Sequence, residues 1–267
     1  MRIYGVDFTS APRRAKPITV ACGVATRNSL RVEKIERLET FDAFEEFLDR
    51  PGPWVGGFDF PFGLAREAVI DLGWPAHWPA LLAHCRALGR SEFKRVLDAY
   101  RESRPAGARY AKRRGDAASG AHPSVKLVNP PVGFMFLEGA TRVCAAGLHV
   151  PGLRAAPDTR VALEAYPGLL ARRLGVRSYK NDDRRKWTPA HRAARRQIVS
   201  ALERGDSTGV KTRIDEKLKV EIIRDGTGDL LDAALCAVQA HWGWLRAAEN
   251  YGLPAALDPL EGWIVSA

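Results

Sequence analysis

The first sixty residues constrain the fold most, because they read as three strands, a helix and a fourth strand. An aspartate closes the first and the fourth of those strands. Residues 2–8, RIYGVDF, are an apolar strand ending in Asp7. Residues 17–25, PITVACGVA, are small and β-branched. Asn28 and Ser29 mark a turn, and Leu30, Val32, Ile35 and Leu38 nearly alternate with polar residues. This pattern predicts a three-stranded antiparallel meander. Thr40 is a good helix N-cap, and Phe41, Phe44, Phe47 and Leu48 follow with helical spacing until Pro51 and Pro53 stop the helix. WVGGFDF, 54–60, is the fourth strand, carrying Asp59 at its end before Pro61.

The remaining chain changes character twice. Leu64 to Tyr100 has helical spacing broken by Gly73, Pro75 and Pro79. Residues 101–126 are polar and rich in Gly, Pro and cations, and read as a mobile basic loop containing Arg113, Arg114 and Lys126. NPPVGFMF, 129–136, reads as a rigid turn and a short aromatic run. Residues 159–166 alternate like a strand, with Glu164 facing away from Leu163, and Pro167 opens a helix. A basic helix at about 189–204 carries Arg192, Arg195 and Arg196. The last helix is expected from about Gly228 to Asn250, and 261–264 as a final extended piece. The expected organisation is one domain, 1–267, with a helical and basic-loop insertion at about 64–158.

Composition narrows the function. Of 267 residues, 46% are hydrophobic and 27% charged, as in ordinary folded domains. No apolar run reaches the roughly 18–20 residues a membrane helix needs. The N-terminal segment has an acid where a signal peptide has its apolar core, so secretion is not expected. The four cysteines are far apart and form no CxxC pair, which argues against structural zinc or a disulfide framework and makes the cytoplasm the default location. Lys and Arg exceed Asp and Glu by 41 − 31 = 10, which favours an anionic partner such as nucleic acid.

The chemistry-bearing residues are acids. In DLLDAALCAVQAHWGWL, Leu231, Leu235, Val238, Trp242 and Leu245 fall on one narrow arc, the expected core face. Asp229 and Asp232 lie on another arc with Cys236, three residues apart and therefore neighbours. Two adjacent like charges cost stability unless something positive stands between them, and a divalent cation would suit. Asp7 and Asp59 are poorly placed for solubility, and a buried carboxylate needs a partner. If strands one and four are neighbours and the last helix packs beside them, the four aspartates converge. Hard oxygen donors suit Mg²⁺ or Mn²⁺ rather than zinc. Two such ions activate water and stabilise a leaving oxygen in phosphodiester cleavage. Glu164 is a further candidate, as a fifth ligand or a base that orients water. Arg113, Arg114, Lys126, Arg192, Arg195 and Arg196 are the candidate phosphate contacts.

The order of three strands, a helix, a fourth strand and a C-terminal acidic helix resembles the ribonuclease H-like superfamily. DLLDAALCAVQAH is similar to the last helix of Holliday-junction resolvases of the RuvC type. GVDFTSAP, GFDFPFGL, KLVNPPVGF, LEAYPG and DLLDAALCA together resemble the proposed nucleases called domain of unknown function 429, over residues 5–237. The resemblance implies a mixed α/β sheet and nuclease-like carboxylates at Asp7, Asp59, Asp229 and Asp232. The expected activity is metal-dependent hydrolysis of nucleic acid, with Asp7 bridging two ions and Asp59 holding one.

Two other functions compete. A non-catalytic nucleic-acid-binding protein could use the same fold. Actin-like ATP-binding phosphotransferases share the strand pattern, but Phe8 and Phe60 stand where their phosphate hairpins need glycine, and neither GxxxxGK[ST] nor GxGxxG is present. His77, His84 and Cys85 lack further ligands for a zinc site.

Overall fold

The computed structural model of the chain describes residues 1–206 and 208–267. The N-terminal meander forms as expected, from β1 (Arg2–Asp7), β2 (Ile18–Ala25) and β3 (Ser29–Leu38). Helix α1 (Phe41–Leu48) follows, with the Thr40 hydroxyl accepting from the Ala43 N–H at 3.1 Å, and then β4 (Trp54–Phe58). β1 and β2 pair antiparallel, with Asp7 opposite Thr19, and so do β2 and β3. β4 lies parallel beside β1, Phe58 opposite Val6, so the strand ends at Asp7 and Asp59 are adjacent.

The middle segment is helical: α2 (Arg66–Asp71), α3 (Trp78–Ser103), α4 (Arg114–Ser119) and α5 (Val132–Ala145). The helix broken at Gly73 and Pro75 restarts at Trp78, with Pro79 in its first turn, where a missing N–H costs nothing. α3 bends at Gly89, whose φ of +67° is left-handed. The aromatic run after the prolines is the start of the 14-residue α5. β5 (Arg160–Glu164) then pairs parallel with β4, and α6 (Pro167–Arg173) and α7 (Pro189–Arg204) follow. β6 (Lys211–Ile214), parallel to β3, and α8 (Glu216–Arg224) were not expected: four residues of KTRI carry little periodic signal, and α8 buries only Ile222. α9 (Asp229–Trp244) ends earlier than its apolar pattern suggests.

The result is a mixed α/β fold around one six-stranded sheet, β5-β4-β1-β2-β3-β6, partly antiparallel and partly parallel. Strand side chains alternate between faces. Tyr4, Val6, Trp54 and Phe58 join an aromatic core with residues of α1, α3 and α5. Ile3, Val55 and Leu163 join a second, aliphatic core with α6, α7 and α9. No helix among the described residues is long and apolar enough to cross a membrane.

α9 corrects the single-face expectation. It is buried nearly all round from Asp229 to His241, whereas Leu245, placed on the core arc, is 39% exposed. The small side chains Ala233, Cys236, Ala237 and Ala240 bring its other face onto the sheet. A Cβ at Gly5 would stand 2.1 Å from the Ala233 carbonyl and the Ala237 nitrogen, and one at Gly57 would stand 2.4 Å from the Cys236 carbonyl. Only glycine admits the helix backbone at these two points.

Candidate active site

Gly5 and Asp7, and Gly57 and Asp59, are each two residues apart, so each acid stands on the same sheet face as its glycine. The glycines seat α9 and the acids lie just beyond, where the helix begins with Asp229 and Asp232. One cavity of about 510 Å³ is lined by all four aspartates. The convergence expected of Asp7, Asp59, Asp229 and Asp232 is therefore met at the level of a shared pocket.

What stands between the acids is lysine. The Lys180 ammonium donates to one oxygen of Asp232, and the Tyr179 hydroxyl donates to the other at 2.7 Å. Lys16 Nζ lies 2.8 and 3.0 Å from the two Asp229 oxygens and 3.1 Å from Asp182. Thr19 donates to Asp7 at 3.3 Å. Among the described residues, no group of three or more His, Cys, Asp and Glu side chains is arranged to hold a metal ion. Asp229 and Asp232 turn onto ammonium groups instead.

Four aspartates meet two ammonium groups here, in a lining that also holds Glu164, Asp182, Arg113, Arg172 and Arg177. Burial pushes Asp7 well above the carboxylate range, and Asp229 and Asp232 add to this, while Lys180 opposes it. Burial, and then Asp232, push Asp59 up to about 7. Asp232 is also raised by burial, against the pull of Lys180 and Tyr179. Burial pulls Lys180 down, but Asp232 first and then Tyr179 and Asp7 hold it well above its ordinary value, so it stays charged.

The other candidates fare differently. Glu164 is 3% exposed, and both its oxygens are engaged: Arg113 donates at 2.6 and 2.8 Å, and the Phe62 N–H at 2.9 Å. Glu164 lines the same cavity and ties its wall to Arg113 and Phe62. Arg113, expected on a mobile loop, is 1% exposed and chelated by Asp116, Glu164 and the Glu261 carbonyl. Arg195 is 3% exposed and donates to the carbonyls of Tyr179 and Ile223, fixing the segment that presents Lys180. Both are therefore buried and committed to protein partners, Arg113 in the cavity wall and Arg195 behind the Lys180 segment. Lys126 folds back onto the Asn129 carbonyl at 2.5 Å. Arg114, Arg192 and Arg196 are exposed but do not line the cavity.

Lys16, Lys180 and Tyr179 are the site residues that sequence reasoning missed, together with Arg172 and Arg177, which also line the cavity. The available signal was weak: SYKNDD is a polar segment between two helices, and Lys16 sits in a tight turn with Arg13.

The fold and site define a mixed α/β protein with an acidic pocket at the carboxyl ends of two adjacent parallel strands. The chain belongs to the family of proteins of unknown function DUF429, which it matches over residues 5–254. No curated protein and no solved structure matches it.

Proposed function

We propose that the pocket is the active site of a Mg²⁺- or Mn²⁺-dependent nuclease on a ribonuclease H-like scaffold. The observation that carries this reading is the convergence of four aspartates on one cavity, with Asp229 and Asp232 on lysines and Asp7 and Asp59 on none among the described residues. A divalent cation would take the place of the protons that Asp7 and Asp59 hold, and the donors are all hard oxygens. The antiparallel meander, the parallel β4 beside β1 and the acids at both strand ends also support the scaffold assignment.

The donor chemistry fits such an ion, although the side chains as they stand form no complete ligand group. Asp7 and Asp59, whose oxygens have no ammonium partner within hydrogen-bond range among the described residues, would hold it first. Asp229 and Asp232 would join as Lys16 and Lys180 let go. When bound, such ions activate water and stabilise the leaving oxygen. Lys16 and Lys180, released, would face a substrate phosphate. Tyr179 would keep Asp232 oriented through its hydroxyl.

The self-compensation of Asp229 and Asp232 by lysine favours a second reading, nucleic-acid binding without cleavage. One experiment separates the two. Labelled single-stranded and branched oligonucleotides are incubated with the protein and Mn²⁺, and Asp7→Asn is run beside it. The nuclease reading expects Mn²⁺-dependent products that the variant loses while retaining binding. Binding by both proteins with no products refutes it in favour of the second reading.

A further inference from the structure

The cavity has more than its acids. Its lining also includes Arg172 and Arg177, two exposed guanidinium groups. Neither has a carboxylate partner among the described residues. Arg172 donates to the Tyr166 hydroxyl at 3.2 Å and to the Ser119 carbonyl, and its guanidinium lies 5.1 Å from the centre of the Tyr166 ring. Other arginines by the cavity or near in sequence are committed to acids: Arg113 to Asp116 and Glu164, Arg160 to Asp158, Arg185 to Asp183. Arg177, and the N–H groups of Arg172 that Tyr166 and Ser119 do not use, are left for an incoming anion.

Arg172 is held in position by local sequence. LEAYPG ends β5 and turns into α6, and a Cβ at Gly168 would come within 3.0 Å of the Tyr166 ring and hydroxyl. Glycine lets that ring lie across the start of α6, where Arg172, six residues on, reaches it. The same cavity has an apolar stretch, Pro130, Pro131, Val132 and Met135, from the NPPVGF turn and the start of α5. Both motifs thus supply lining that the acid chemistry does not use.

Acids, free guanidinium groups and an apolar surface in one cavity of about 510 Å³ match the parts of a nucleotide unit. That volume is in the small-ligand range, and a concave pocket of this size takes an unstacked nucleotide rather than a stacked duplex. We propose that this cavity binds a nucleotide unit of single-stranded nucleic acid, with a phosphate on Arg172 and Arg177 and the base against Pro130, Pro131, Val132 and Met135. This deepens the nuclease reading by naming its substrate class, but the contacts involve no metal and are testable without one.

The test is equilibrium binding of a fluorescein-labelled thymidine hexamer in EDTA across a salt series, read by anisotropy. The parent is expected to bind, and Arg172→Gln with Arg177→Gln to weaken binding. Each neutralised single-strand phosphate contributes about 0.7 to the salt slope, so losing the one phosphate held by both arginines should flatten it by about 0.7. Arg27→Gln with Arg37→Gln, two exposed arginines outside the cavity, removes the same charge and should leave the slope near the parent's. A hexamer of abasic residues with the same phosphates should bind more weakly to the parent, and Met135→Ala should narrow that difference. An absence of binding by the parent, equal flattening by both arginine pairs, or equal affinity for the abasic and thymidine hexamers overturns the proposal. Cleavage is not read in any arm. A parent that binds as described but never cleaves with Mn²⁺ loses the nuclease reading and keeps this one, and the converse outcome loses only this one.

Discussion

Asp59→Asn should make the protein more stable at pH 8 and leave it nearly unchanged near pH 4. Asp59 is pushed from the ordinary 3.8 up to about 7, first by burial and then by Asp232, with Lys180 opposing. About 3 pH units at about 1.36 kcal/mol each set a ceiling near 4 kcal/mol. The side chain is partly exposed, so solvent screening brings the expected gain to about 2 kcal/mol. The sign follows from linkage. Folded Asp59 holds its proton more tightly than the unfolded chain does, so the parent loses stability as pH rises from about 4 to about 7. Above that window the full penalty is present, and asparagine, which cannot ionise, is spared it. Urea denaturation of both proteins at pH 4, 6 and 8, without divalent ions, gives the difference directly. A difference flat with pH, or a variant less stable than the parent at pH 8, would refute the claim that Asp59 is electrostatically frustrated.

Asp232→Asn sets two effects against each other. Burial already disfavours the Asp232 charge, but the change leaves Lys180 without its carboxylate. Since the Lys180 side chain is 41% exposed, the net loss should be about 1 kcal/mol, below the roughly 3–5 kcal/mol of a fully buried pair. Urea denaturation at pH 7 without metal checks it, and a variant as stable as the parent would show the pair to be energetically idle. Gly5→Ala puts a methyl 2.1 Å from α9 backbone and should cost about 3 kcal/mol or more, because main chain cannot rotate away as a side chain can. A melting temperature within a degree of the parent would mean that α9 is not seated on Gly5.

The acids were legible in sequence because strand periodicity makes an aspartate in an apolar run conspicuous. Asp7 and Asp59 needed only the adjacency of β1 and β4 to meet, and that follows from a meander, a crossover helix and a parallel strand. The lysines were not legible for the converse reason. Lys16 is 213 residues from Asp229, and Lys180 is 52 from Asp232, and each sits in a polar segment where a lysine normally faces water. Arg113 misled in the same way, since a cation in the run KRRGD looks solvated until Glu164 and Asp116 close around it. Sequence reasoning asked correctly what positive charge separates Asp229 from Asp232, and supplied a metal where the fold first supplies ammonium groups.

The glycines explain why these acids could not be arranged otherwise. A helix ordinarily rests on a sheet through its largest apolar side chains, which is why the Leu231 and Leu235 arc looked like the only core face. α9 instead presses backbone against backbone at Gly5 and Gly57, through Ala233, Cys236 and Ala237. That is also the side that carries Asp229 and Asp232, because residues three and four apart share a face. Close approach therefore brings the acids of the helix to the acids of the strands and forces like charges together. A chain selected for stability alone would place uncharged residues at such a junction. Keeping four aspartates there instead lifts Asp7 and Asp59 out of the ordinary carboxylate range, a cost that packing α9 onto the sheet does not require.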